Sequence, residues 1–419
     1  MKKWYYLLAL PVLLMSCSDD DVSFVGPNCT QETGILLNAK KQWVYTGETM
    51  ALYVDKNFCE RAVKSVSVNG KAVEVKAITA DSLTFVFPTI ADDSATIAVN
   101  FTSFDATLSK KVRVFPGNGT WKEIQSFPGT GRAETRVVVA SDKAYVLKGL
   151  VYSGQMTPFT DVFRYEPATN SWQKSIDNPL FASSRFETYS QGRLLCQLST
   201  GFSMFDLETG VYKKIMAPPV NPDCIGFEVN GEAYFINDAT NHVGIYEILH
   251  YGESANQWEK LAQTNYDGPY DFLRSAFSIG GKVYFPMKII NTVEAELISY
   301  DLDSKTFAKS ARLHVPVTDP SDSYLNYLFT IGQCAYFMDA GEVDLGNNGD
   351  IIRVIPTNRL YVYNTAVEEW HITTTEYPAK FVNTTSFAVG GRGFVGLGVV
   401  RQSATAVTYP QNFYEFVPQ

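Results

Sequence analysis

Along most of the chain, apolar and polar residues alternate with period two, and short turns carrying glycine interrupt the alternation. The clearest cases are Asn230-Gly231-Glu232-Ala233-Tyr234-Phe235 and Gly280-Gly281-Lys282-Val283-Tyr284-Phe285. Further copies are Ser141-Asp142-Lys143-Ala144-Tyr145-Val146, Ile331-Gly332-Gln333-Cys334-Ala335-Tyr336-Phe337 and Gly390-Gly391-Arg392-Gly393-Phe394-Val395, with a worn one at Gln191-Gly192-Arg193-Leu194-Leu195. Asn-Gly or Gly-Gly between alternating runs predicts a hairpin, because a two-residue primed turn needs positive φ at both positions.

A second phrase answers each hairpin: an aromatic strand, an acidic or Asn turn, and often a Trp. Its fullest form is Phe163-Arg164-Tyr165-Glu166-Pro167-Ala168-Thr169-Asn170-Ser171-Trp172. Two hairpins make one four-stranded sheet per unit. Glycines 192, 231, 281, 332 and 391 are spaced by 39, 50, 51 and 59 residues, and self-similarity near that period predicts a β-propeller. The Tyr-x-Pro-x-Thr-Asn-x-Trp phrase and the preceding hairpin resemble the kelch family over residues 120–419. The diglycine that ends the second strand in that family is nearly absent; only Lys148-Gly149 approaches it.

Six units are counted. The last stops at Asn412-Phe413-Tyr414-Glu415-Phe416-Val417, a third strand without a fourth, while an orphan strand, Gly119-Thr120-Trp121-Lys122-Glu123-Ile124, precedes the first unit. An N-terminal outer strand completing the final blade closes the ring and removes an edge.

Residues 29–116 carry a different pattern of short alternating runs, among them Met50-Ala51-Leu52-Tyr53-Val54 and Thr96-Ile97-Ala98-Val99-Asn100-Phe101. This predicts a small β-sandwich. The succession Asp55-Lys56-Asn57-Phe58, Val66-Ser67-Val68-Asn69-Gly70 and Leu83-Thr84-Phe85-Val86-Phe87-Pro88 resembles the IPT/TIG immunoglobulin-like family, with Lys56 where that family has Gly. Phe115-Pro116-Gly117-Asn118-Gly119 reads as the linker. The expected fold is all-β: an Ig-like sandwich followed by a six-bladed kelch-like propeller.

The first 16 residues read as a targeting segment, with Lys2 and Lys3 before an apolar stretch. Leu14-Met15-Ser16-Cys17 resembles the bacterial lipoprotein box, which implies lipidation of Cys17, an anchor in the outer membrane and a tether over residues 17–28. The acidic run Ser18-Asp19-Asp20-Asp21 resembles the surface-export signal of Bacteroidetes lipoproteins, or is simply a solvated tether. A net charge of -9 without a basic stripe argues against nucleic acid. Such a compartment permits disulfides, and Cys29 and Cys59 share the small domain, so a bridge between them is open. The four His residues, 242, 250, 314 and 371, lack ligand spacing; no metal, no cofactor and a monomer are expected.

In alternating blades the repeated tight turns share one face, so the long irregular segments collect on the other, where binding groups concentrate. That face mixes aromatics and carboxylates at Tyr152, Tyr266, Asp267, Tyr270, Tyr324 and Tyr327, groups able to stack on and hydrogen-bond a sugar. Arg132, Arg185 and Arg274 stand where innermost strands begin, either clamping a carboxylate or bonding channel carbonyls. Glu187, two residues after Arg185, is expected on the same side of its strand, and the pair are the weak catalytic candidates. The leading expectation is a surface lipoprotein binding a glycan through the long-loop face. The alternatives are a sugar-acting enzyme, such as the sialic acid mutarotases that the kelch resemblance suggests, and a scaffold gripping a surface protein.

Overall fold

In the computed structural model, the residues described are 24–25, 37–39, 41–54, 63–79, 82–90, 92–101, 107–151, 157–220, 224–238, 245–265, 270–272, 275–289, 294–310, 312–314, 325–339, 343–345, 351–354, 359–379, 381–401 and 407–418. The chain divides into two compact units, Met1–Phe115 and Pro116–Gln419. Lipidation at Cys17 and the Cys29–Cys59 pairing fall outside the described residues.

The first unit is a sandwich of two mostly antiparallel sheets. One contains Val63–Val68, Lys71–Val73, Ser94–Phe101 and Thr107–Phe115, with Trp43–Tyr45 added in parallel; the other contains Leu37–Ala39, Thr49–Val54, Val75–Ile78 and Ser82–Val86. Alternation decides what each strand buries: in Ser94–Phe101 the residues Ala95, Ile97, Val99 and Phe101 point inward and meet Leu52, Leu83 and Phe85.

The second unit contains six four-stranded antiparallel blades. Blade 1 runs Ala133–Ala140, Lys143–Val151, Asp161–Glu166, Ser171–Asp177; blade 2 runs Arg185–Ser190, Arg193–Leu198, Gly201–Phe205, Tyr212–Lys214. Blade 3 runs Ile225–Val229, Glu232–Asp238, Ile245–Gly252, Gln257–Asn265; blade 4 runs Phe277–Ile279, Lys282–Ile289, Glu294–Asp301, Thr306–Lys309. Blade 5 runs Leu325–Ile331, Cys334–Asp339, Arg359–Asn364, Glu369–Glu376, and blade 6 runs Thr385–Val389, Arg392–Gly396, Phe413–Pro418 and then the leading strand Gly119–Glu123. Among the described residues no sheet closes on itself. The first strands of blades 2 to 6 abut in succession, that of blade 6 abuts that of blade 1, and the first strand of blade 1 meets the second strand of blade 2.

The turns explain why these sequences make hairpins. Asn230 and Gly231 have φ of 52° and 84°, Gly280 and Gly281 59° and 77°, Gly390 and Gly391 58° and 72°. The turn before each fourth strand also ends in a left-handed residue: Asn170, Gly210, Asn256, Lys305 and Glu368 in blades 1 to 5. Between blades, aromatic and aliphatic side chains form separate cores; Tyr165, Phe387, Phe394 and Phe413 pack blade 6 on blade 1. The leading strand pairs Trp121 with Phe416 and Glu123 with Tyr414. On its other side the Thr375 hydroxyl accepts from the Gly119 amide and donates to the Gly119 carbonyl, both at 3.0 Å.

Two long-loop segments that read as irregular contain hairpins of their own, Val343–Leu345 with Ile351–Val354 and Val400–Arg401 with Val407–Thr408.

Candidate functional site

The best-defined polar constellation among the described residues lies at the long-loop end of the seam between blades 1 and 2. Its centre is Glu187, whose side chain is only 6% exposed. Lys148 Nζ donates to its Oε1 at 2.5 Å, the Ser184 hydroxyl lies 2.9 Å from the same oxygen, and Arg136 Nε donates to Oε2 at 3.1 Å. A carboxylate so deeply placed persists because it is paired and hydrogen-bonded.

Local sequence builds each arm. In the connection between the blades, Asn178 accepts from the Leu180 amide and starts a short 3₁₀ turn, Pro179–Ser183, which delivers Ser184 to Glu187. In blade 1 the second strand breaks at Lys148, φ 59°, and Gly149, φ 94°. A left-handed lysine costs about 1 kcal/mol. That strain comes where Lys148 Nζ crosses to blade 2, also donating to the Ser184 carbonyl at 2.9 Å. A Cβ on Gly149 would meet Arg132 Cδ at 2.7 Å and the Ala133 carbonyl at 2.9 Å, so glycine is required there.

Arg132 supports this break from behind. It is 0% exposed; Nε donates to the Thr130 carbonyl, Nη1 to the Lys148 carbonyl, and both terminal nitrogens to Asp161. Its guanidinium also stacks 3.8 Å from the Phe159 ring. Among the described residues its bonds go to two backbone carbonyls and to the Asp161 carboxylate.

Arg136 is different. Its side chain is 55% exposed although protein surrounds it. Burial, the largest single influence, pulls its pKa down, but Glu187, Tyr189 and Glu134 together outweigh it and hold the guanidinium above its ordinary value. Its Nη2 has no partner among the described residues. Arg185 is exposed and likewise unpartnered among them. The register slips between Arg185 and Thr188, so strict alternation does not run unbroken through this stretch of the strand. Arg136 and Lys148 face Glu187, and the Glu134 charge also acts on Arg136. Burial, followed by the Glu187 charge, raises the pKa of Tyr189 one pleat along the strand.

Tyr327 is a packing residue, stacked 4.8 Å from Phe277 between blades 4 and 5. The Tyr270 backbone pairs with Ile289 in a short extra strand. Tyr152, Tyr266, Asp267, Arg274 and Tyr324 lie outside the described residues. Lys148 and Arg136 were missed from sequence; the signal available was Lys148-Gly149, the remnant of a diglycine. Among the described residues no three His, Cys, Asp or Glu side chains converge as metal ligands, and no helix is long and apolar enough to cross a membrane.

The fold and this mouth define an all-β protein of propeller type with a charged channel site. No family model matches the chain. It is similar to N-acetylneuraminate epimerase 1 of Escherichia coli O6:H1 (strain CFT073), 26% identical over 157 residues that make 35% of this chain and 39% of the relative. It is similar also to the N-acetylneuraminate epimerase of Haemophilus influenzae (strain PittEE), 25% identical over 170 residues, 38% of this chain and 42% of the relative. A shorter match, 39% over 57 residues, is to that of Salmonella typhi and covers 15% of it. The chain thus spans about two fifths or less of the curated relatives it matches.

Proposed function

We propose that this protein binds an acidic sugar at the long-loop mouth of its channel, as a lipid-anchored protein of the outer membrane. The observation that carries the reading is the Arg136–Glu187–Lys148 constellation. Glu187 holds the two cations, and Arg136 Nη2 and the Arg185 guanidinium, which have no partner among the described residues, remain for a carboxylate. An arginine fork suits a planar carboxylate. The names of the relatives, which specify an acidic sugar, favour that substrate class over a neutral glycan. The lipobox around Cys17 supports the location.

Calorimetry of the full chain in detergent tests the reading, with N-acetylneuraminate and galacturonate against neutral glucose and galactose. Binding of an acid but of no neutral sugar is expected, with Arg136→Gln weakening it about tenfold, the worth of ~1.4 kcal/mol. Equal binding of neutral and acidic sugars, or none of either, sinks it.

A second reading is mutarotation of the bound sugar, favoured by a carboxylate held beside two proton donors, Lys148 and Ser184. Anomer exchange followed by NMR is accelerated by wild type and not by Glu187→Gln if this holds. No acceleration by wild type leaves a binding protein.

A further inference from the structure

On an innermost strand both flanks are covered by neighbouring blades, so residual exposure there is exposure to the channel. At the penultimate position of the first strands, Tyr189, Glu228, Ser278, Thr330 and Ala388 each lie partly exposed between two buried neighbours, and blade 1 contributes the exposed Val139. These six take the equivalent place in their strands, polar from blades 2 to 5 and aliphatic at blades 6 and 1; the Tyr189 ring also packs against the core between blades 1 and 2. Glu228 stands out. Among the described residues its carboxylate has no hydrogen-bond or ion-pair partner, and the Ser278 hydroxyl reaches its backbone carbonyl at 3.2 Å instead. The Tyr189 hydroxyl likewise has no partner among them.

The two groups are neighbours by construction. A Cβ on Gly226 would lie 1.9 Å from the Glu187 carbonyl and 2.5 Å from Thr188 Cβ, so the first strand of blade 3 abuts that of blade 2 with Gly226 level with Glu187. Two residues on, Glu228 is therefore level with Tyr189, and both lie about 6.6 Å deeper in the channel than Glu187 at the strand rise of ~3.3 Å per residue. That depth is close to the length of one pyranose ring. Burial without a cation to offset it raises the pKa of Glu228 above the ordinary carboxylate range.

We infer that Glu228 and Tyr189 form the hydroxyl-binding floor of the channel site, so that the ligand is a polyhydroxylated acid bound end-on. Its carboxylate meets Arg136 at the mouth, and hydroxyls on the far side of the ring donate to Glu228 and exchange a hydrogen bond with Tyr189. The aliphatic arc of Val139 and Ala388 receives the apolar ring face. A small acid such as lactate, too short to reach the floor, uses the mouth alone. The inference rests on the acidic-sugar reading above and adds what selects among acids.

Isothermal calorimetry of the full chain in detergent tests it, using N-acetylneuraminate and lactate as probes on wild type, Glu228→Ala and Tyr189→Phe. The expected result is a loss of at least tenfold in N-acetylneuraminate affinity for Glu228→Ala, a smaller loss for Tyr189→Phe, and no change for lactate. Thermal unfolding within 2 °C of wild type, on the order expected for surface changes, certifies both variants. Wild-type binding that both variants retain unchanged overturns the floor and leaves the mouth standing. A wild type that binds no sugar acid overturns the preceding reading, and the floor falls with it.

Discussion

Trp172 donates its indole N–H to the backbone carbonyl of Gln125 at 2.9 Å, tying blade 1 to the chain that leaves the closing strand. Around it, Asn170 Oδ1 accepts from the Gln125 amide at 3.1 Å and from the Tyr165 hydroxyl at 3.0 Å. Blade 3 repeats the arrangement two blades on: Trp258 donates to the Met216 carbonyl, and Asn256 accepts from the Met216 amide and the Tyr251 hydroxyl. A left-handed asparagine, a tyrosine and a tryptophan together grip one peptide unit of the preceding blade.

That grip predicts a stability effect. Asn170→Ala removes the acceptor for a backbone N–H and places a Cβ-bearing residue without a side-chain amide at φ 48°. The expected loss is about 1–3 kcal/mol for the unsatisfied donor, and Asn256→Ala should cost the same order. Urea midpoints at constant slope measure both. Equal midpoints for wild type and variants would show the clamp to be idle.

Ring closure makes a second prediction. Trp121 sits edge-on to Tyr377 and tilted on Phe416, each 5.1 Å between centroids, so it bridges blades 5 and 6 from the leading strand. Trp121→Ala removes both contacts and should cost ~3–5 kcal/mol. Freed, the third strand of blade 6 becomes an unpaired edge and a template for aggregation. Light scattering during thermal unfolding checks this. A variant that melts and stays clear like wild type contradicts it.

The hairpin rhythm was legible from sequence because positive φ restricts what can stand in a turn, so Asn230-Gly231 and Gly390-Gly391 announced themselves. The closing strand was legible for a similar reason: one strand was missing at the end and one was spare at the start. The candidate site was less legible. Setting Arg185 beside Glu187 assumed strict alternation, and a bulge after Arg185 leaves no mark in the residue pattern. Lys148 lies 39 residues before Glu187 and meets it only through the abutment of two blades and a left-handed lysine. Neither is a local property. Tyr327 looked like a loop aromatic, but its strand already begins at Leu325.

Acid should weaken the seam between blades 2 and 3. The carboxyl of Glu253 is held below its ordinary pKa, chiefly by the hydrogen bond from Arg193, against the opposing effect of burial and with help from Lys213. Because the folded value is depressed, the stabilisation is present above the unfolded carboxylate range, near pH 4.3, and is lost as pH falls through the folded value. Both partners are partly solvated, so its size is at most about 1 kcal/mol. Glu253→Gln should be less stable than wild type at pH 7, and the gap should close below about pH 4. Paired denaturation curves at pH 7 and pH 3.5 check it; a gap that persists in acid removes the ion pair as its cause.

Two thiols should be inert. Cys196 and Cys334 are free and buried, and burial pushes the Cys334 thiol up to about 12 and that of Cys196 higher still. The thiolate is the reactive form, so native protein should leave both unmodified by iodoacetamide at pH 8 while unfolded protein reacts at both. Peptide mapping before and after denaturation reads the difference, and prompt native labelling at either position would mean that the blade opens.

Gly226 couples the fold to the site more tightly than any charged residue does. Its missing Cβ is what lets the first strand of blade 3 touch the Glu187 carbonyl. Backbone is what a methyl group would strike, so relief requires moving one strand against the other. Gly226→Ala should therefore cost ~1–3 kcal/mol or more, the range for overpacking. It should also shift Glu187 away from Lys148, to which it is held at 2.5 Å. The two effects separate by experiment: Gly192 lies at a hairpin turn of blade 2, where φ is 73°, and Gly192→Ala strains the backbone and presses on Ala140 of blade 1 without touching Glu187. If acidic-sugar binding follows stability alone, both variants lose it in proportion to their unfolding free energies. If Gly226 positions the mouth, Gly226→Ala loses affinity at temperatures where it is fully folded, and Gly192→Ala does not.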